Sequence, residues 1–242
     1  KFLEAEIWAQ GVGSMAEQSA RGGVQGYSAM AKGMIFGIDT LKLNRMIFGV
    51  AGGFSSGSID PDQFGLGDIN IRHYPLIIYA ELHGIRPWRV DAALSVARNR
   101  YQTQRSMRFG SIDRIARGMF NGQEYGLSIE AAYDLATSSP WKLTPSAMLD
   151  YSQMTIDGYT ERDADALNLR VESQDYTHLR SGFGLAASTV WTLARMRAIP
   201  QVYGRVYHEW LAPSIKTRAA FEGTDTFFET TAMSSARNMF ET

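Results

Sequence analysis

The amino-acid sequence predicts an all-β protein, an antiparallel up-and-down transmembrane β-barrel, and three observations carry that prediction. Long segments alternate apolar and polar residues with period two. Those segments exceed the ~5–6 residues of an average strand and reach the ~9–11 needed to cross a bilayer at a tilt. The connections between them alternate long and short, as they do when long loops lie on one side of a membrane and tight turns on the other.

The alternation is clearest in three segments. In Trp88–Ala97 one face is Trp88, Val90, Ala92, Leu94 and Val96. In Tyr125–Ala136 it is Tyr125, Leu127, Ile129, Ala131, Tyr133 and Leu135, and in Trp141–Ser152 it is Trp141, Leu143, Pro145, Ala147, Leu149 and Tyr151. None of these 17 positions is charged, although 20% of the chain is. About three charges would be expected by chance, so this face avoids water as lipid or a dry core demands. The intervening positions carry Arg89, Asp91, Glu130, Asp134, Lys142 and Asp150.

Taken in order, the segments give strands near 5–15, 27–41, 45–56, 69–83, 87–101, 121–136, 141–156, 167–191, 198–211 and 217–230, with an eleventh beginning near Asn238. The connections 16–26, 57–68, 102–120 and 157–166 are long and polar. Those near 42–44, 84–86, 137–140, 192–197 and 231–237 are short. The ninth, 212–216, is short on these boundaries, with room to extend toward Asp225. Glycines on the polar face (Gly33, Gly37, Gly49, Gly53, Gly182, Gly184) are expected to keep a lumen open. Pro75 sits inside the fourth strand, where it forfeits a ladder hydrogen bond.

Side-chain assignments follow from the two faces. Asp91, Glu130, Asp134, Asp150 and Arg180 are the lumen-facing candidates, and Val90, Leu94, Leu127, Ile129, Leu143 and Leu149 the lipid-facing ones. Trp88, Tyr125, Tyr133, Trp141, Tyr151 and Trp191 are candidates for the aromatic girdles that barrels place at the membrane–water interface.

Composition narrows the function classes. The chain of 242 residues has net charge −1 and a pI near 6.5, which gives no electrostatic reason for a nucleic-acid partner. It has no cysteine, so disulfides and thiolate chemistry are excluded. No metal, cofactor or catalytic site is expected. His73, His83, His178 and His208 lack ligand spacing, and Gly11-Val12-Gly13 lacks the third glycine of a dinucleotide fingerprint. Gly53-Phe54-Ser55-Ser56-Gly57 matches the serine-hydrolase elbow, but the residues after it read as a loop and not a helix. Arg98, Arg100, Arg105, Arg108, Arg114 and Arg117 read either as a solvated extracellular loop or as a contact to outer-leaflet phosphates.

Several motifs in order resemble the autotransporter β-domain, the translocator of type V secretion in the bacterial outer membrane. Ile7-Trp8-Ala9-Gln10-Gly11-Val12-Gly13 resembles its first strand, Gly33-Met34-Ile35-Phe36-Gly37-Ile38-Asp39 its second, and Phe48-Gly49-Val50-Ala51-Gly52-Gly53-Phe54-Ser55 its third. Leu169–Ser173 and Gly182–Leu185 fall where the eighth would lie, and Tyr207-His208-Glu209 and Ala219-Ala220-Phe221 resemble the ninth and tenth. The resemblance spans residues 1–242 as one domain. It implies a twelve-stranded barrel without enzymatic activity, threaded by a pore helix, that helps an N-terminal passenger reach the cell surface. It also implies outer-membrane lipid, the passenger and the barrel assembly machinery as partners. Only Lys1–Ala5 precedes the first strand and the chain stops at Thr242, so the pore helix, the passenger and the last strands are expected to lie outside this sequence. A porin-like diffusion channel is the alternative, and a soluble β-rich enzyme or lectin a third reading.

The face assignment has a direct test. Leu94→Arg should destabilise the barrel in lipid vesicles by ~2–4 kcal/mol, whereas Ser95→Arg should cost far less. Equal costs, or the reverse order, in urea unfolding would remove the assignment.

Overall fold

The computed structural model describes residues 5–19, 26–43, 45–61, 67–85, 87–135, 140–193, 196–211, 216–231 and 237–241. The first seven strands run as a meander: β1 (Glu6–Gln18), β2 (Tyr27–Leu43), β3 (Met46–Pro61), β4 (Asp68–Ile85), β5 (Trp88–Phe109), β6 (Ile112–Tyr133) and β7 (Trp141–Ile156). After them come β8 (Tyr159–Thr160), a 3₁₀ turn (Asp165–Leu167), β9 (Leu169–Val171) and β10 (Gln174–Thr189). The chain ends with β11 (Trp191–Leu193), β12 (Met196–Ala198), β13 (Gln201–Glu209), β14 (Lys216–Phe221), β15 (Phe227–Thr231) and β16 (Asn238–Glu241). Among the described residues no helix is long and apolar enough to cross a membrane, which leaves crossing by strands open.

Ten strands form one antiparallel sheet in the order β1-β2-β3-β4-β5-β6-β7-β10-β13-β16. Each large step in the sequence is therefore a neighbour in space, and nearly every backbone group along the meander finds its partner on the adjacent strand. The sheet curls. Trp8 on β1 reaches Tyr79 on β4 at 2.8 Å, and Arg205 on β13 reaches Glu130 on β6 at 3.5 Å. Each pair lies three strands apart, ~14 Å in a flat sheet, so the face that carries them is concave.

Three irregularities among the described residues are local, one of them a register shift between Leu82 and Ile85 at the turn end of the β4–β5 ladder. Opposite Asp39 and Leu41 the β2–β3 register shifts by one residue, a bulge at the end of the strand. At Pro75 the ladder to β3 skips from Gly52↔Leu76 to Ser55↔His73, while Pro75 still pairs Ala97 on β5. The missing N–H thus opens one side of the strand only.

Three expectations from the sequence are corrected. Residues 102–120 are not a loop: β5 and β6 continue as a ladder to Phe109↔Ile112, closed by Gly110-Ser111 with Gly110 at φ +56°. Glycine at the first central position suits such a two-residue hairpin turn. The run 167–191 is broken up: β9 leaves the ten-stranded sheet, β10 stays in it, and Trp191 opens β11. The run 217–230 is a hairpin of β14 and β15, turned at Glu222-Gly223 with Gly223 at φ +82°, and β16 takes the place beside β13. The ninth connection is accordingly long, 210–237. The connecting residues 20–25, 62–66, 136–139 and 232–236 lie outside the described residues.

The long connections build a second sheet, β15-β14-β9-β8. It meets β6 through reciprocal backbone bonds between Arg117 and Arg162, both 2.9 Å. Rings of Tyr101, Phe120 and Tyr159 stack at 5.0 and 4.0 Å beneath it, and burial raises the Tyr159 hydroxyl pKa above its ordinary value. Arg105 clamps the assembly. Its guanidinium donates to both oxygens of Glu161 at 3.1 and 2.5 Å and to the Leu167 carbonyl at 2.9 Å. Glu161 is 5% exposed, so removing the cation leaves a buried carboxylate without its counter-charge, held by the Leu169 N–H at 2.9 Å. Arg105→Ala should cost roughly 3–5 kcal/mol of loop-sheet docking. Limited proteolysis should then cut within 157–173 while the ten-stranded sheet stays protected; unchanged protection of 157–173 would show that the clamp does not hold the loops.

Candidate functional site: the two faces of the sheet

Strand register sorts the side chains into two chemistries. On the convex face Leu94 pairs Leu127, Leu127 pairs Tyr151, Ile129 pairs Leu149, and Val90 and Leu143 occupy the same face. Large apolar side chains there stand open, with Phe183 69%, Leu94 60% and Ile78 57% exposed. By contrast, among the described residues no large side chain is fully buried, and more than half of the buried apolar residues are alanines, such as Ala51, Ala116 and Ala132. Apolar surface on this scale needs a covering, and a convex belt running across successive strands is what a bilayer covers.

Aromatics mark the edges of that belt. Trp88 and Tyr133 are Cα partners whose rings meet edge-on at 4.8 Å, and Trp141 lies at the same end. Tyr125 is eight residues up β6 from Tyr133, ~27 Å along the strand, and Tyr151 pairs Leu127 close by. Trp191, 56% exposed, sits in the separate β11–β12 hairpin and not on the ten-stranded sheet.

The concave face is polar and internally paired. Asp150 accepts from Ser128 Oγ at 2.7 Å and from Arg180 Nη2 at 3.1 Å, and the Arg180 guanidinium lies 4.4 Å over the Tyr207 ring. Glu130 holds Arg205, Asp134 holds Lys142 at 2.8 Å and accepts from Thr144, and Asp91 holds Arg89 at 3.1 Å. Thus Asp91, Glu130, Asp134, Asp150 and Arg180 come together on one face. At the far edge the Trp8 indole donates to Tyr79 Oη and to Asp39 at 3.3 Å, while the Tyr79 hydroxyl donates to the Asp39 carboxylate.

The glycines on this face do not leave open space. Gly37 is the Cα partner of Trp8, Gly49 of Tyr79 and Gly182 of Tyr207. In each case a Cβ on the glycine would meet the partner's ring. Each glycine is the floor on which a ring lies flat, the cross-strand aromatic rescue of a glycine. Sequence reasoning missed these three pairs because they are non-local; the signal would have been aromatics on the polar face.

The hydrolase-like run Gly53–Gly57 lies within β3, an extended strand without an elbow. Among the described residues no cluster of three or more His, Asp and Glu is arranged to hold a metal.

A curled antiparallel meander with an apolar, aromatic-edged convex belt and a charged concave face is a transmembrane β-barrel of the bacterial outer membrane. Over residues 7–242 the sequence matches the profile of the autotransporter β-domain, and the chain belongs to that family. It is 25% identical over 225 residues to outer membrane protein B of Rickettsia rickettsii, covering 90% of this chain and 14% of that protein. It is 31% identical over 140 residues to esterase EstA of Pseudomonas aeruginosa, covering 57% of this chain and 21% of that protein. The chain thus spans a small part of the relatives it matches. In structure it is similar to the translocator domain of autotransporter NalP from Neisseria meningitidis, with a TM-score of 0.70 at 15% identity, covering 98% of this chain and 84% of that one.

The ring-on-glycine pairing is testable. Gly49→Val should destabilise the barrel by about 1–3 kcal/mol through overpacking against Tyr79. In a Tyr79→Ala background the same change should cost much less. Strictly additive costs in vesicle unfolding would show that the ring is not what the valine meets.

Proposed function

We propose that this domain acts as the outer-membrane anchor and translocator of a longer protein, helping an N-terminal passenger reach the cell surface, and makes and breaks no covalent bond itself. The family match over residues 7–242, on a sheet with an apolar convex face and a hydrated concave one, carries the reading. Val90, Leu94, Leu127, Ile129, Leu143 and Leu149 are assigned to lipid. Asp91, Glu130, Asp134, Asp150 and Arg180 are assigned to the lumen. There their mutual ion pairs hold the wall in shape while leaving hydrogen-bonding capacity for a polar segment or water passing through. Trp88, Tyr125, Tyr133, Trp141 and Tyr151 are assigned to the two interfaces.

The concave charges suit transit. Carboxylates and guanidiniums that already satisfy one another present no net field strong enough to trap a passing chain, yet they keep the path wet. A pore helix from upstream in the parent protein is the natural ligand of that face, and the barrel assembly machinery the natural agent of insertion.

The test is display. In the natural gene, an epitope placed upstream of this domain should be accessible to protease and antibody on intact cells. Deleting 7–242 should confine the epitope to the periplasm. Surface display that survives the deletion would overturn the assignment.

A further inference from the structure

Of the six arginines between Arg98 and Arg117, four are engaged by carboxylates: Arg105 by Glu161, Arg108 by Asp113, Arg114 by Asp165 and Arg117 by Asp163. Arg98 and Arg100 are not. Both point outward on β5 and, like Arg72 on β4, make no side-chain hydrogen bond or ion pair with the described residues. Arg72 and Arg100 are direct Cα partners, and Arg98 pairs Tyr74 one step nearer the apolar belt. Like charges placed opposite one another across a ladder destabilise it. Apart from Arg98, the arginines along the rest of this hairpin hold carboxylates, so two facing guanidiniums without one form a site that lacks its anion.

The surroundings fit a headgroup. Between β4, β5 and β6 lies an outward groove of about 330 Å³, lined by Arg72 and Arg100 with the carboxamides of Asn70, Gln102 and Asn121 and the thioether of Met119. Two guanidiniums and three amide groups can donate to several oxygens of one phosphate, the geometry in which arginine is strongest. Asp68, the outward carboxylate at the start of β4, stands four residues beyond Arg72 and leaves the cationic end free.

Below the groove, on the same strands, lies an exposed alkyl strip: Leu76 and Ile78 on β4, Val96 and Leu94 on β5. Cations above and hydrocarbon below, on one continuous wall, are complementary to an amphiphile with a phosphorylated head and several acyl tails.

We propose that this groove is a specific site for a phosphorylated glycolipid of the outer leaflet, with the phosphate held between Arg72 and Arg100, Arg98 beside it, and the tails lying on the strip of Leu76, Ile78, Leu94 and Val96. The proposal rests on the outer-membrane reading above. It supplies the anion that the unpaired arginines lack and sets the depth of the barrel in the leaflet at the step from Val96 to Arg98.

The full-length natural protein, reconstituted in phosphatidylcholine nanodiscs doped with diphosphoryl lipid A or with its dephosphorylated form, tests this by native mass spectrometry of retained lipid. The wild type should retain the diphosphoryl form preferentially. R72Q/R100Q should lose roughly 30-fold in affinity, about fivefold per cation at an anionic surface. The matched double variant R114Q/R117Q, whose cations already hold carboxylates, should bind as the wild type does. Equal retention of both lipids, or an equal loss in both double variants, overturns the site. Complete displacement by millimolar inorganic phosphate assigns it to a free anion and overturns the lipid. Flotation with plain phosphatidylcholine vesicles separates the two readings: a wild-type protein that does not float overturns the membrane reading and the site with it, whereas one that floats without headgroup preference overturns the site alone.

Discussion

In hydrocarbon, a backbone N–H or C=O without a partner costs several kcal/mol, and water is not there to supply one. That constraint governs this structure. It forces each crossing segment to be a strand laddered to its neighbours, on both sides for every strand between β1 and β16, which in turn makes sequence neighbours spatial neighbours through β7 and keeps β10, β13 and β16 in line after it. Excursions are spent outside the sheet: β8, β9, β14 and β15 are set apart in the long connections, where water is available. The lapse at Pro75 removes one donor and leaves the pairing of Pro75 with Ala97 on β5 in place.

Because the ladder is satisfied by backbone alone, side chains are free to follow solvent. The pleat sends alternate residues to opposite faces, so a single strand writes two chemistries at once. Val90, Leu94 and Val96 face one way while Asp91, Ser95 and Arg89 face the other. On the concave side the curl brings strands three apart within reach. Ion pairs there tie the wall together across the sheet as well as along it, and rings laid over Gly37, Gly49 and Gly182 fill the polar face without adding bulk to the backbone beneath them.

The sequence was most legible where the two solvents differed most. Between Trp88 and Tyr151 lipid lies on one side and water on the other, so the alternation stands out and fixes register as well as face. Between Gln102 and Phe120 both sides of the hairpin meet water or the loop sheet, alternation fades, and the end of β5 with its partners in β6 looks like loop. Phe227–Thr231 was hidden for a different reason. Glu222-Gly223 is a turn signal in the middle of what reads as one run, and the run had to be broken there for β16 to find β13. Faces are local and can be read from the chain; which glycine lies under which ring depends on pairings such as Trp8 with Gly37 and Gly49 with Tyr79, made between separate strands, and cannot.

The β5–β6 ribbon rises well beyond the apolar belt, and the Arg105–Glu161 clamp grips it partway up. A two-stranded ribbon anchored at one end behaves as a cantilever, whose compliance at the tip grows with the cube of its free length. β4 flanks β5 only through Gln104 and β7 flanks β6 only through Gly122, so from Arg105 to Phe109 the ribbon runs on alone for ~14 Å at ~3.4 Å per residue, with the clamp at the base of that arm. The loop sheet therefore works as a brace at the root of a short spur, holding it at a fixed angle to the wall.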